Sequence, residues 1–226
     1  VAKILAFLLM MALAPAQKAI KIVLVGDSTV NDEGGWGEGF RKSFGPPVEV
    51  VNLAQNGRSS KSFRDEGLWG PALAAKPDFI LIQFGHNDEP GKGPERETDP
   101  TTTYRANMVR YIEEARSVGA TPVLVTSIVR RNFDDQGKIK RDHLIEYVAE
   151  VRKIAVEEHV PLMDLYALTL AQSEALGPEG AKALGATTKD GKLDTTHLSA
   201  TGRQEIGVIA AREFVRLEPA LKAYFH

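Results

Sequence analysis

The chain has 226 residues, 43% of them hydrophobic, with 28 lysines and arginines against 30 aspartates and glutamates and a formal net charge of −2. That length and composition fit one folded domain around one sizeable core, and exclude a disordered or polytopic membrane chain. The charge balance leaves no cationic excess for nucleic acid, and the absence of cysteine excludes disulfides, thiolate zinc sites, iron–sulfur clusters and a cysteine nucleophile.

At the N-terminus the apolar run Ile4–Ala14 follows Lys3 and leads into Ala14-Pro15-Ala16. A short apolar core before a small-x-small motif reads as a signal peptide cut after Ala16. Residues 1–16 are therefore expected to be a leader and 17–226 the mature domain, secreted or periplasmic and free of the membrane after processing. The run is too short to span a bilayer, and no later stretch approaches the ~20 apolar residues that requires.

Strand-length apolar runs follow at Ile20–Val25, Val48–Asn52, Phe79–Phe84, Pro122–Thr126 and Val160–Asp164. They are rich in valine and isoleucine, as strands buried on both faces are. Helical spacing appears in Tyr104, Met108, Tyr111, Ile112 and Ala115, stopping at Gly119, and again in Leu144, Val148, Val151 and Ala155. A last helix is expected from an N-cap at Ser199, burying Ile206, Ala210, Phe214 and Leu217 before Pro219. This alternation predicts a five-stranded parallel sheet covered by helices on both faces. The segments Glu89–Pro100 and Gly177–Lys192, rich in glycine, proline and charge, are expected to be long loops of the kind that border sites.

In such sheets ligands bind beyond the carboxyl ends of the strands, where strand order reverses. With the order 2-1-3-4-5, three post-strand segments become neighbours: Gly26-Asp27-Ser28-Thr29, Asn52 to Ser59, and Gly85-His86-Asn87-Asp88. Asp194-Thr195-Thr196-His197 precedes the last helix. A serine hydroxyl attacks carbonyls only when a base takes its proton, and the base needs an acceptor that fixes its tautomer. Ser28, His197 and Asp194 supply those groups. The backbone N–H groups of Ser28 and Gly57 and the side-chain amide of Asn87 are candidate donors to an oxyanion, with Gly57 expected to permit close backbone approach. Alone, Ser28 reads as a turn or cap residue, Gly57 as a turn glycine and His197 as a surface histidine. Four blocks in one order, three of them on adjacent loops, are what favour an esterase.

The blocks GDST, the NxAxxG stretch ending at Gly57, GHND and DTTH resemble the four signature blocks of the GDSL or SGNH hydrolase superfamily, in the same order. More narrowly, Gly57-Arg58-Ser59, Phe84-Gly85-His86-Asn87-Asp88, TPVLVTSIVRRNFDDQGKI and LGPEGAKAL are similar to rhamnogalacturonan acetylesterases and their bacterial relatives. The resemblance spans Ile20 to about Phe214. It implies a flavodoxin-like three-layer α/β/α sandwich and hydrolysis of acetyl esters on pectin-type sugars, without cofactor or metal. It also implies Ser28 as nucleophile, His197 as base, Asp194 as orienting acid, and Ser28, Gly57 and Asn87 as oxyanion donors. Asn56 stands where some fungal members carry a further glycine, and the disulfides of some members are impossible here.

Other residues compete for roles. Gly35-Trp36-Gly37-Glu38-Gly39 mimics a dinucleotide-binding loop, but its spacing is wrong and it does not directly follow the first strand. Trp36 is a candidate to stack on a sugar, or a packing residue. His86 and Asp88 lack a third metal ligand nearby, so His86 is kept with Trp36, Arg58 and Lys61 as a candidate substrate contact. Arg58 and Lys61 follow the oxyanion glycine, where a cation meets a uronate carboxylate, and Arg130 and Arg131 are expected to extend that rim. The expected partner is an acetylated poly- or oligosaccharide. A lysophospholipase, thioesterase or arylesterase on the same fold is the alternative, and it would need an apolar acyl channel. A non-catalytic glycan-binding domain is the other, and it would need neither Ser28 nor His197.

Overall fold

The computed structural model describes residues 19–226, so the expected leader, residues 1–16, lies outside the described residues. Strands β1 (Ile20–Gly26), β2 (Val48–Asn52), β3 (Phe79–Gln83), β4 (Thr121–Val125) and β5 (Leu162–Met163) form one parallel sheet in the order β2-β1-β3-β4-β5. The central strand β1 pairs Leu24 with Asn52 on one side and with Leu81 on the other. The sheet's order and composition are those expected from the sequence, except that β5 keeps only Leu162–Met163 of the run Val160–Asp164. Asp164 instead caps the following helix, accepting from the Ala167 N–H at 3.3 Å.

Successive side chains of a strand point to opposite faces, and this divides the interior into two cores. Val23, Val25, Ile80 and Ile82 join one core, covered by α2 (Ser62–Asp65), α3 (Trp69–Ala74), α4 (Arg105–Ser117) and α5 (Leu144–Glu157) through Phe63, Trp69, Tyr111 and Ile154. Ile22, Leu24, Leu81 and Val123 join the other. There α1 (Gly37–Lys42), the start of α6 (Leu165–Ala181) and α7 (Ala200–Leu217) contribute Phe40, Leu165 and Phe214. The fully buried Ile22, Leu24 and Ile80 each stabilise the fold by about 1.5–3 kcal/mol relative to exposure. The result is the three-layer α/β/α sandwich.

The glycines around Trp36 serve packing. A Cβ on Gly39 would stand 2.3 Å from the Arg203 carbonyl oxygen, and one on Gly207 would stand 2.4 Å from Gly39 Cα. Bare backbone therefore lets α1 and α7 touch where they cross. Ser199 caps α7 as expected, its Oγ accepting from the Gly202 N–H at 3.1 Å.

The expected long loop 177–192 is mostly structured. Gly177 (φ 67°) breaks α6 ahead of Pro178, a 3-10 turn follows at Lys182–Leu184, and β6 (Gly185–Thr187) pairs antiparallel with β7 (Leu193–Leu198). Asp194–His197 thus stand on a strand of a small hairpin, an element too short for its periodicity to register. Among the described residues no helix is long and apolar enough to cross a membrane.

Candidate active site

The turn after β1 is held by a buried polar chain. Trp36 Nε1 donates to Gln83 Oε1 (2.9 Å), Gln83 Nε2 to Thr29 Oγ1 (2.7 Å), and Thr29 Oγ1 and N to Asp27 Oδ1 (2.7 and 2.8 Å). Val30 and Asn31 N–H groups both reach the Asp27 carbonyl, closing the turn around Ser28. Burial raises the Asp27 carboxyl to about 6, against the lowering effect of its Thr29 bonds. Trp36 is fully buried in this chain and cannot stack on a sugar, so its role is support beneath the serine turn.

Ser28 Oγ lies 2.8 Å from His197 Nε2, and His197 Nδ1 lies 2.7 Å from Asp194 Oδ2. The other Asp194 oxygen accepts from the Thr196 and His197 N–H groups at 2.8 and 2.9 Å. Burial alone would raise the Asp194 carboxyl; the His197 and Thr196 bonds outweigh it and hold it below the usual carboxylate range. An ionised acceptor on Nδ1 fixes the tautomer that leaves Nε2 as the basic nitrogen, aimed at the serine.

Ser28, Gly57, Asn87 and His197 line one cavity of about 430 Å³, together with Glu33, Gly34 and Asn56. Among the described residues the Ser28 and Gly57 N–H groups have no acceptor. One hydrogen of the Asn87 amide is taken by the Arg58 carbonyl at 3.2 Å. These are the donors an acyl-transfer oxyanion requires. Gly57 has a conformational reason to be glycine. Its φ of +74° disfavours a side chain, whereas the nearest atom to an added Cβ is 3.9 Å away, Nη1 of Arg96.

Asn87 is positioned from below. Asp88 accepts from Ser60 N (3.1 Å), Ser60 Oγ (2.5 Å) and Thr98 Oγ1 (3.0 Å), tying the second and third post-strand loops together. Burial pushes its carboxyl up to about 7 against those bonds. The Tyr147 hydroxyl reaches the Asp88 carbonyl at 2.8 Å, and that of Tyr104 reaches the Phe84 carbonyl at 2.9 Å. His86 is buried, with Nε2 donating to the Ile128 carbonyl at 3.1 Å, and burial together with nearby Arg130 drives its pKa well below the usual histidine range. It is a neutral structural residue, not a substrate contact. Among the described residues no group of three His, Asp or Glu side chains is placed to hold a metal ion.

The expected cationic rim is corrected as well. Arg58 donates through Nε and Nη2 to Glu66 (2.9 and 2.7 Å) and through Nη1 to the Asn56 carbonyl (2.8 Å), so it braces its own loop. Lys61 Nζ donates to the Pro94 carbonyl at 2.7 Å. Arg130 is paired with Glu89 and Asp142 and largely buried. Arg131 is buried beneath the hairpin, its Nη2 donating to the carbonyls of Asp194 (3.2 Å) and His197 (2.6 Å) and its N–H to Thr195 O (2.8 Å). Burial pushes the Arg131 pKa down to about 10 against the attraction of Asp194. Sequence reasoning missed this clamp, and also missed Glu33 at the cavity wall and Arg96 beside Gly57. Their only signal was position, on a turn after Ser28 and in the charged segment Glu89–Pro100.

A model of the GDSL-like lipase/acylhydrolase family matches residues 24–205. The chain is 38% identical over 224 residues to a rhamnogalacturonan acetylesterase of Bacillus subtilis (strain 168), covering 91% of this chain and 94% of that protein. The crystal structure of the YxiM protein of Bacillus subtilis superposes with a TM-score of 0.77 at 26% identity, over 90% of this chain and 58% of that one. An acetylxylan esterase of Geobacillus stearothermophilus, at 21% identity and a TM-score of 0.63, shares the fold over 87% of this chain and 93% of its own.

Proposed function

The chain belongs to the GDSL-like lipase/acylhydrolase family, and from that membership we propose that it is a serine esterase removing O-acetyl groups from carbohydrate, with a pectin-type rhamnogalacturonan as substrate. The observation that carries the chemistry is the continuous relay Ser28–His197–Asp194, at 2.8 and 2.7 Å, facing a cavity that also presents two backbone N–H groups with no acceptor among the described residues. A binding domain would need no such relay. Supporting the substrate is the 38% identity to a protein named as a rhamnogalacturonan acetylesterase.

In this reading His197 Nε2 takes the Ser28 proton as Oγ attacks the acetyl carbonyl. The oxyanion is met by the Ser28 and Gly57 N–H groups and the Asn87 amide. Collapse expels the sugar oxygen, which takes the proton back from His197 and leaves an acetyl group on Ser28. Water, deprotonated by the same imidazole, then releases acetate and restores the serine. Asp194 stabilises the imidazolium in both halves.

The cavity favours a small acyl group. No leucine, isoleucine, valine, methionine, phenylalanine, tyrosine or tryptophan lines it, whereas a long acyl chain would have to shed water against apolar walls, at about 0.8 kcal/mol per methylene. The test is acetate release from acetylated rhamnogalacturonan and acetylated xylan, beside 4-nitrophenyl esters of rising chain length. Acetate preferred over octanoate, and pectin-type polymer over xylan, is the expected result; a preference for octanoate would make the protein a lipase-type acylhydrolase. Residues 1–16 are proposed as an export leader, and an N-terminus at residue 17 in protein recovered outside the cytoplasm is the check.

A further inference from the structure

Behind the hairpin that carries Asp194 and His197 lies a larger cavity of about 610 Å³, whose walls include Arg131, Phe133, Lys140, Arg141, Lys182 and Thr195. Four of those side chains are cations. Arg131 is spent on the hairpin carbonyls and Lys182 on Glu179, 2.6 Å away. Lys140 and Arg141 are exposed, and neither has a carboxylate partner among the described residues. The one acid in the wall, Asp142, already accepts from Arg130 at 2.8 Å and from the Leu144 N–H at 3.2 Å. Half-buried Phe133 adds an apolar surface beside the two free cations.

We propose that this cavity binds the carboxylate-bearing units of an acidic glycan, Lys140 and Arg141 meeting uronate carboxylates while Phe133 supports a sugar face. A guanidinium matches a carboxylate with two parallel donors, an ammonium meets it as a point charge, and a ring face suits the C–H side of a pyranose. Thr195 lines this cavity and sits between Asp194 and His197, so the cavity adjoins the strand that carries the relay, and in this proposal a chain whose acetylated unit is seated at Ser28 runs on over the hairpin to reach it. The cations sit outside the reacting cavity, where they recognise the polymer without placing charge beside the imidazolium that forms during turnover. The proposal rests on the carbohydrate-ester reading above.

The test is the double variant Lys140→Gln/Arg141→Gln, which alters two exposed side chains outside the catalytic relay. Binding of unacetylated oligogalacturonate is measured by calorimetry, and turnover on acetylated rhamnogalacturonan oligosaccharide and on 4-nitrophenyl acetate is measured at low and high salt. Oligogalacturonate should bind the wild type, and the variant should bind about tenfold more weakly. KM on the acidic oligosaccharide should rise by a similar factor with kcat kept, and its salt dependence should shrink, because screening acts only where the charge contact exists. 4-Nitrophenyl acetate hydrolysis should be unchanged. No oligogalacturonate binding to the wild type, or equal binding by both proteins, overturns the subsite. A wild type that hydrolyses 4-nitrophenyl acetate and binds oligogalacturonate through these residues, yet releases no acetate from the polymer, would leave the subsite standing and overturn the substrate reading.

Discussion

Replacing Arg131 with methionine would remove one guanidinium nitrogen that holds the carbonyls at both ends of the Asp194–His197 segment, at 3.2 and 2.6 Å. A charge-assisted hydrogen bond contributes about 1.5–3 kcal/mol, and here two acceptors share one donor. The variant should therefore lose roughly 2–4 kcal/mol of stability, or about 5–12 °C of melting temperature for a domain of this size. The larger effect is expected on chemistry. His197 Nε2 sits 2.8 Å from Ser28 Oγ only while the hairpin keeps its register, and a displacement of about 1 Å in a reacting group costs on the order of 10² in rate. Turnover of 4-nitrophenyl acetate, measured well below the melting temperature, should fall by about that factor with KM little changed. Arg131→Lys should recover part of it, because an ammonium can satisfy one of the two carbonyls. A folded Arg131→Met protein with wild-type kcat, or a loss confined to KM, would refute the positioning argument.

Ser28→Ala should retain the fold and lower turnover to near background, since no other hydroxyl lines the cavity; comparable turnover in purified variant would defeat the assignment. Asn87→Ala should reduce kcat by roughly 10²–10³ with KM little changed, the signature of a lost oxyanion donor, whereas a pure KM effect would make Asn87 a ground-state contact. Asp88→Asn tests the buried carboxyl in the loop support: with a folded pKa of about 7 against about 3.9 when unfolded, the native state holds the extra proton between those values. This group's contribution therefore becomes less favourable as pH rises from about 4 to 7, by about 1.4 kcal/mol per unit. Urea melts should show the stability of wild type relative to Asp88→Asn falling by roughly 2.5 kcal/mol between pH 5 and pH 8, and a constant difference would refute the raised pKa.

The sheet was legible because strands buried on both faces leave little choice of residue: Ile22, Val23, Leu24 and Val25 are all fully buried, and that continuous run is what marked β1. The relay was legible for a related reason. Ser28, Gly57 and Asn87 sit in short blocks whose order fixes which loops they occupy, and the order β2-β1-β3 then makes the other two loops neighbours of the serine turn. Side chains whose role depends on a partner far along the chain were not legible. Arg58 is claimed by Glu66, Arg130 by Glu89 and Asp142, and Arg131 by two carbonyls more than sixty residues away. In the sequence each is only a cation after a strand, which reads equally as rim, brace or clamp. Trp36 failed in the same way, since its ring nitrogen answers to Gln83, 47 positions on. A residue type can state what chemistry is possible, but charge neutralisation over 3 Å is decided by packing. The same reasoning separates Lys140 and Arg141 from Arg130 and Arg131: they follow them by only ten residues in the chain, yet among the described residues the fold assigns them no acid. Cations left unneutralised beside a cavity keep their full attraction for an anionic ligand, whereas paired ones have already given theirs to the fold.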